Sequence, residues 1–389
     1  MTTTINNEHK KLNVPNLRFP EFQGEWEEHY LSDYLDFKNG LNPKPDKFGK
    51  GIKFISVMDI LNNAIITNDC IRASVDVSEE ELQNFSVENG DMLFQRSSET
   101  LEDVGRANVY MDDKPAVFGG FVIRGKKKAE YNPLFFRYLL ASPFARKKII
   151  PMGAGAQHFN IGQEGLSKVK LNFASLGEQN KIAKLMLAID ERISTQNKII
   201  DKLQSLIKGI SNKIFESLQG QECRLGDIAT ITNGNSNVQD AVTEYRDDLY
   251  PFFDRSEEIK YLPTFLFDKE AIIYPGEGAD FFPRYINGKF ALHQRCYAIF
   301  DFNKAVNPQF LYCFLKTQNS YFIRNAVGST VPSLRLDTFQ KLKVIVPSKK
   351  TQSIVSSLLF TLEKKHNSEK MLLQTLLKQK QYLLRQMFI

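Results

Sequence analysis

Tyr30-Leu31-Ser32-Asp33-Tyr34-Leu35-Asp36-Phe37-Lys38-Asn39-Gly40 returns later in the chain as Arg224-Leu225-Gly226-Asp227-Ile228-Ala229-Thr230-Ile231-Thr232-Asn233-Gly234. The Leu, the Asp and the closing Asn-Gly keep their register. Two further blocks repeat in the same order. Asn132-Pro133-Leu134-Phe135-Phe136-Arg137-Tyr138-Leu139-Leu140 is answered by Asn307-Pro308-Gln309-Phe310-Leu311-Tyr312-Cys313-Phe314-Leu315, and the strand-like Val169-Lys170-Leu171-Asn172-Phe173 by Leu342-Lys343-Val344-Ile345-Val346. Each copy then passes a glutamine, Gln179 or Gln352, and enters a helical pattern. A period this long is no solenoid repeat. It means two similar domains in one chain, with the approximate two-fold relation that a homodimer would have.

The helical patterns define the frame. From residue 176 to 218, Ile182, Leu185, Ile189, Ile193, Ile200, Leu203, Ile207, Ile210 and Ile214 recur in steps of three and four and multiples of them, while Lys184, Glu191, Lys198, Lys202 and Lys208 occupy other faces. Such a stripe runs roughly 60 Å at about 1.5 Å per residue and requires a partner helix. The second pattern, about 350–388, places Ile354, Leu358, Leu362, Leu372, Leu376, Leu383 and Met387 on its stripe, interrupted by the polar Lys364-Lys365-His366-Asn367-Ser368. A two-fold relation makes the helices antiparallel and sets the other two domains at opposite ends, as in a dumbbell. Those domains are β-rich: short runs such as Phe54-Ile55-Ser56-Val57, Asp91-Met92-Leu93-Phe94 and Phe121-Val122-Ile123 alternate with Gly, Asn and Asp turns. Asn132 is suited to cap the helix that Pro133 opens.

The reading is thus an α+β chain with pseudo-two-fold internal duplication. Its expected parts are a polar N-terminal arm, 1–25, whose first 14 residues are disordered; a first domain, 26–175; a spacer helix, 176–218; a second domain, 219–347; and a second spacer helix, 348–389. Its 389 residues carry a formal charge of +6, a mild basic excess that permits a nucleic-acid partner without requiring one. Thirty phenylalanines against one tryptophan point to phenylalanine-rich cores. Cys70, Cys223, Cys296 and Cys313 form no CxxC pair and suggest neither zinc nor disulfides. With no apolar leader and no run of roughly 18 apolar residues, a cytoplasmic protein without a membrane partner is expected.

Several strings imitate catalytic motifs without completing them. Asn132-Pro133-Leu134-Phe135 approaches the Asn-Pro-Pro-aromatic motif of amino-methyltransferases but lacks the second proline, and its start repeats at Asn307-Pro308 as a helix cap would. Gly153-Ala154-Gly155 has no preceding strand of the kind a nucleotide loop needs. Asp254 and Glu258 have no matching acids in the first half. The histidines lack metal-ligand spacing, and no phosphate-binding GxxxxGK[ST] loop is present. No catalytic or metal residues are therefore assigned.

Basic residues interleaved with amides and aromatics fit DNA better. Lys44, Lys47 and Lys50, with Lys53, surround a Pro/Gly-rich loop suited to phosphates. Arg96, Ser97 and Ser98 follow a strand, and Gln157, His158 and Asn160 follow the Gly153-Ala154-Gly155 hinge. In the second half the candidates are Arg255, Arg284, Tyr285, Lys289, Arg295, Ser333 and Arg335. Arg, Gln and Asn make the bidentate contacts that distinguish guanine and adenine edges, whereas Lys mainly neutralises phosphate.

The order of these features resembles the specificity subunit of type I restriction-modification systems over almost the whole chain. Val14-Pro15-Asn16-Leu17-Arg18-Phe19-Pro20-Glu21-Phe22 with Gly24-Glu25-Trp26 is similar to that family's N-terminal signature. Lys53-Phe54-Ile55-Ser56-Val57-Met58-Asp59-Ile60 resembles its "iSv.Di" strand, Gly90-Asp91-Met92-Leu93-Phe94-Gln95-Arg96-Ser97-Ser98 its "GD.L..R" segment, and Leu176-Gly177-Glu178-Gln179-Asn180-Lys181-Ile182-Ala183 its "L.EQ..IA" entry into the central helix. In the second half, Lys349-Lys350-Thr351-Gln352 keeps only the Gln, and Ile273-Tyr274-Pro275-Gly276 replaces "L..R". The resemblance implies two target-recognition domains reading a bipartite, asymmetric site in double-stranded DNA. It also implies docking to methyltransferase and restriction subunits, with S-adenosylmethionine, ATP and Mg on those partners and no cofactor on this chain. A self-contained methyltransferase or nuclease and a coiled-coil adaptor that binds no DNA are the rival readings.

Overall fold

The computed structural model describes residues 13–389, so the expected disorder of the first 14 residues falls almost wholly outside the described part. The chain divides into two units, one made of the residues before 198 together with 372–389, the other of residues 198–371. Each unit contains the opening turns of one long helix and the closing turns of the other. These helices are Leu176–Ser217 and Lys349–Gln386.

In the first unit a four-stranded antiparallel sheet runs in the order Leu35–Asn39, Val122–Lys127, Met92–Gln95, Ala107–Val109. A second sheet is ordered Ser74–Val75, Phe48–Ile55, Ala116–Phe118, Ser86–Val87. The chain passes from the second sheet to the first through the turn 119–121. A short ribbon, Glu27–Tyr30 against Lys170–Phe173, brings the domain's beginning beside its end. The core between sheet and helices is aromatic: Phe94, Phe135, Phe136, Tyr131 and Tyr138 are fully buried. Leu383 and Leu384 of the second long helix, with Met387 and Phe388 just beyond its end, join that core together with Ile182, Ala183 and Met186 of the first. Trp26 touches both Glu178 and Phe388, while Lys380 meets Asp190 at 2.6 Å, so these two helical segments run antiparallel.

The arm 13–26 docks. The Arg18 guanidinium grips Glu178 with both carboxylate oxygens, at 2.8 and 2.7 Å, and Trp26 Nε1 donates to the same carboxylate at 3.2 Å. Trp26 lies edge-on to Phe135 and Phe388. Glu178 is fully buried, and the threonine that replaces it in the second half, Thr351, has no arm to hold.

The second unit has one six-stranded sheet, ordered Thr230–Asn233, Cys296–Phe300, Phe267–Pro275, Arg284–Leu292, Tyr250–Phe253, Lys260–Leu262. Gln221–Arg224 pairs with Lys343–Val346 as its closing ribbon. Ile210, Ile214 and Phe215 of the first long helix pack here with Val355 and Leu359 of the second.

The repeated blocks hold equivalent positions. Leu31 N–H donates to Val169 O and Leu225 N–H to Leu342 O, at 2.9 and 2.8 Å. Both Asn-Gly pairs close a strand where another backbone crosses. A Cβ on Gly40 would overlap the Gly119 carbonyl, and one on Gly234 the Leu292 carbonyl, so neither site admits a side chain. Asn132 Oδ1 accepts the Phe135 N–H, and Asn307 Oδ1 accepts those of Gln309 and Phe310; both asparagines therefore cap helices, as read from sequence.

Two local expectations change. Ser56 ends its strand and caps the short helix Val57–Asn62, sharing Asp59 Oδ2 through its hydroxyl at 2.7 Å and its N–H at 2.8 Å; the "iSv.Di" segment is half strand and half helix start. The opening turns of the second long helix also bury a stripe shifted by one residue, whereas farther along Leu376, Leu383 and Met387 are buried as expected. Gln352, Val355, Ser356 and Leu359 face inward, whereas Ile354 and Leu358 are exposed. The buried glutamine sets the rotation, as in the first helix, where Gln179, Ile182, Ala183 and Met186 share the same i, i+3, i+4, i+7 spacing.

Candidate nucleic-acid interface

The nominated residues of the first unit gather at one end of its sheets. After Gln95 the chain leaves the core strand. Arg96 N–H donates to Phe121 O at 2.9 Å and its Nη1 to Gly120 O at 3.2 Å, while Arg96 O accepts Ile161 N–H at 2.9 Å. Ser97–Ser98 then pairs with Phe159–Asn160, and Ser97 Oγ meets Asn160 Oδ1 at 2.5 Å. Asn160 also exchanges both backbone hydrogen bonds with Ala154. That closes a loop through Gly155, at φ 143°, which carries Gln157 and His158 into solvent.

A cleft of about 440 Å³ opens beside this ribbon, lined by Ser97, Gly120, Phe121, Val57, Met58, Pro43 and Phe48 among others. Pro43 and Phe48 bracket Lys44 and Lys47, so the lysine loop forms one rim. Lys44 and Lys50 are exposed, and Lys47 and Lys50 reach Glu81 and Asp76 at 3.7 and 3.1 Å. Pairs this exposed are weak and leave the lysines available to phosphates. Lys53 is different: its Nζ donates to Ile71 O at 2.7 Å and so ties its strand to the segment that leads into Ser74–Val75.

The second unit builds the same end with other side chains. Leu334 N–H donates to Gly276 O at 2.8 Å, as Ile161 does to Arg96 O. Ser333 bridges both Glu277 and Val327, as Asn160 bridges Ser97 and Ala154. The intervening loop again turns at a left-handed glycine, Gly328, at φ 100°. Phe253 pairs in parallel with Leu292, as Ile55 does with Phe118, and His293 N–H donates to Phe253 O as Gly119 N–H does to Ile55 O. By this register Asp254, Arg255 and Ser256 stand for Ser56, Val57 and Met58; Glu277 stands for Ser97; and His293, Gln294 and Arg295 stand for Gly119, Gly120 and Phe121.

These residues line a polar cleft of about 560 Å³. Asp254 binds Lys260 Nζ at 2.7 Å and the Ser256 N–H at 2.8 Å; burial pushes its carboxyl up, but these partners outweigh it and hold the group below its ordinary range. Arg295 Nη1 meets Glu277 at 2.7 Å. Burial holds His293 below the usual imidazole range despite the nearby Asp254 carboxylate, which opposes that shift.

Arg255, Arg295 and Ser333 thus share one site, with Arg335 exposed two residues beyond Ser333. Three other nominees lie elsewhere. Arg284 donates to the carbonyls of Asp254 and Ser256 and stacks over Phe253, which commits its guanidinium to the interior. Tyr285 bonds Glu270 and packs near Tyr312 and Phe360 on the helix side of the sheet. Lys289 lies over the Phe265 ring at 4.7 Å. A strand's alternation does not say which face meets helices, so spacing alone did not separate these from the cleft.

Sequence reasoning passed over Met58, Phe121, Glu277, His293 and Gln294. The turns 119–121 and 293–295 share no residue, so no repeat marked them. The one available signal was the glycine shared by the two loops, Gly155 and Gly328. Among the described residues no group of His, Cys, Asp and Glu is arranged to hold a metal ion, and no helix is long and apolar enough to cross a membrane.

Comparison with known proteins agrees with the duplicated frame. Over 212 residues the chain is 26% identical to a type I restriction enzyme MjaX specificity subunit of Methanocaldococcus jannaschii, covering 53% of this chain and 49% of the relative. Over 138 residues it is 30% identical to the type I restriction enzyme EcoDI specificity subunit of Escherichia coli, covering 36% and 30%. The chain thus spans about half, or less, of the length of the curated relatives it matches. The fold is similar to that of a type I restriction-modification system S subunit from M. genitalium, with TM-score 0.64 and 18% identity over 97% of this chain and 99% of that one. The family model described as the type I restriction modification DNA specificity domain matches twice, at residues 23–205 and 220–378. The two matches fall on the two copies read from the repeat, and the chain belongs to the type I restriction modification DNA specificity domain family.

Proposed function

We propose that this chain is the non-catalytic DNA-specificity subunit of a type I restriction-modification complex. Each unit reads one half of a bipartite, asymmetric site in double-stranded DNA, and the chain docks the methyltransferase and restriction subunits. S-adenosylmethionine, ATP and Mg belong to those partners, and the complex works in the cytoplasm. The observation that carries this reading is the pair of clefts: one backbone frame, built twice, is lined by unrelated side chains. A structural role repeated in both units would keep its residues, whereas two readers of different sequences need the same scaffold with different contacts. Arg96, Ser97, Ser98, Gln157, His158 and Asn160 supply the first unit's contacts, with Lys44, Lys47 and Lys50 on phosphates. Arg255, Arg295, Ser333 and Arg335 supply the second unit's contacts. Lys289, over an aromatic ring, is left for a phosphate.

The test is methylation mapping in the host with and without this chain, joined to assays of the purified chain. Sequence-specific methylation that requires both the chain and a cognate methyltransferase subunit is the expected result. Methylation or cleavage by the purified chain alone would overturn the non-catalytic assignment.

A further inference from the structure

The two clefts occupy equivalent places and differ in chemistry. In the first unit the side chains reaching the opening are Val57, Met58, Phe121 and Phe48, with Met58 60% and Phe121 67% exposed. Phe48 packs edge-on to Phe54 and Val57 against the core, whereas Met58 and Phe121 turn most of their apolar surface to water on the rim that carries Ser97, beside the lysine loop. In the second unit the same positions hold Arg255, Ser256 and Arg295, and Glu277 lies 2.7 Å from the Arg295 guanidinium. The major groove offers a matching difference. Thymine alone among the four bases presents a methyl group there, and guanine presents the O6 and N7 acceptors that a guanidinium binds bidentately.

Taking the reading above as its basis, we infer that the clefts sort base pairs by this chemistry: the first buries a thymine 5-methyl against Met58 and Phe121, and the second reads a guanine through Arg295. The half-site of the first unit therefore contains an A·T pair facing the cleft, and that of the second a G·C pair. Glu277 fixes the guanidinium in the cleft, and is itself placed as an acceptor for the amino group of the paired cytosine.

The experiment uses the full chain assembled with a cognate methyltransferase subunit and synthetic duplexes carrying the site found by methylation mapping. Each thymine in turn is replaced by deoxyuridine, which removes only the methyl, and each guanine by 7-deazaguanine, which removes only the N7 acceptor. One half-site is expected to hold a thymine whose replacement weakens binding about fourfold, the value of one buried methyl. That sensitivity disappears in Met58→Ala and Phe121→Ala. The other half-site is expected to hold a guanine whose 7-deaza form binds about tenfold more weakly, a sensitivity lost in Arg295→Ala. Each variant should still discriminate the other positions of its own half-site, which shows that the mutated unit is folded. A parent complex that reads its site but tolerates deoxyuridine everywhere, or an Arg295→Ala variant that keeps its guanine sensitivity, overturns the inference and leaves the specificity-subunit reading standing. A parent complex with no sequence preference overturns both.

Discussion

The Asn307 N–H donates to the side-chain oxygen of Gln352 at 2.6 Å, and the Gln352 amide donates in turn to the carbonyls of Pro347 and Ala305 at 2.9 Å. In the first unit Gln179 does the same: it accepts the Asn132 N–H at 3.0 Å and donates to Ala174 O at 2.9 Å. One buried side chain thus ties the cap of a domain helix to the first turn of a long helix, in both copies. This explains why the glutamine survives in the second half when its neighbours change.

Truncating either glutamine strands a half-buried backbone N–H. Gln179→Ala and Gln352→Ala should each cost about 1–3 kcal/mol. Hydrogen exchange is the suitable readout, because it resolves the two units: Gln352→Ala should speed exchange in Pro308–Leu315 and leave Pro133–Ala141 unchanged. Equal loosening of both helices would show that the latch does not act locally.

Glycine substitutions should split by location. Gly40→Ala and Gly234→Ala push a methyl into a crossing carbonyl and should destabilise by about 1–3 kcal/mol. Gly209 lies in the first long helix with open space around its missing Cβ, so Gly209→Ala should stabilise by roughly 0.8–1 kcal/mol. Chemical denaturation of the three variants gives the comparison.

The four thiols should separate by burial. Burial pushes Cys296 up to about 11 and Cys313 up to about 12, so both are neutral at pH 8 as well as enclosed. Cys70 and Cys223 are half-buried and should react first with a thiol reagent on the native protein. Mass spectrometry of the labelled chain reads the order, and prompt labelling of Cys296 or Cys313 would contradict the packing.

Two substitutions separate reading from holding DNA. Arg96→Ala should cost about 1–3 kcal/mol at one position of one half-site and relax specificity there, whereas Lys47→Ala should weaken all sequences alike and flatten the salt dependence. Binding of the assembled complex to matched and mismatched duplexes at several salt concentrations distinguishes them. A uniform loss from Arg96→Ala would assign it to support of the 120–121 turn, whose Gly120 carbonyl it already holds.

The duplication, the helix caps and the long helices were legible from sequence because each has a local cause. An Asn-Pro pair caps whatever follows it, Asn-Gly closes a strand against a crossing backbone, and an apolar spacing of three and four residues shows within a few turns. The phase of the second long helix was legible in its closing half, where Leu376 and Leu383 are buried, but not in its opening turns, since Ile354 and Val355 are equally apolar and only the latch from Gln352 to Asn307 decides which one turns inward. The clefts were legible only in part. Arg96, Ser97 and Asn160 stood out by residue type, but long-range strand pairing is what brings 97 beside 160 and 277 beside 333. The same pairing shows that Phe121 and Arg295, which share no chemistry, hold one position in two copies of one frame. Arg284 and Arg295 are alike in sequence, and tertiary packing alone commits the first to two backbone carbonyls and leaves the second at the mouth of the cleft. Local signals depend on neighbours along the chain, and the reading surface depends on which strands meet across it.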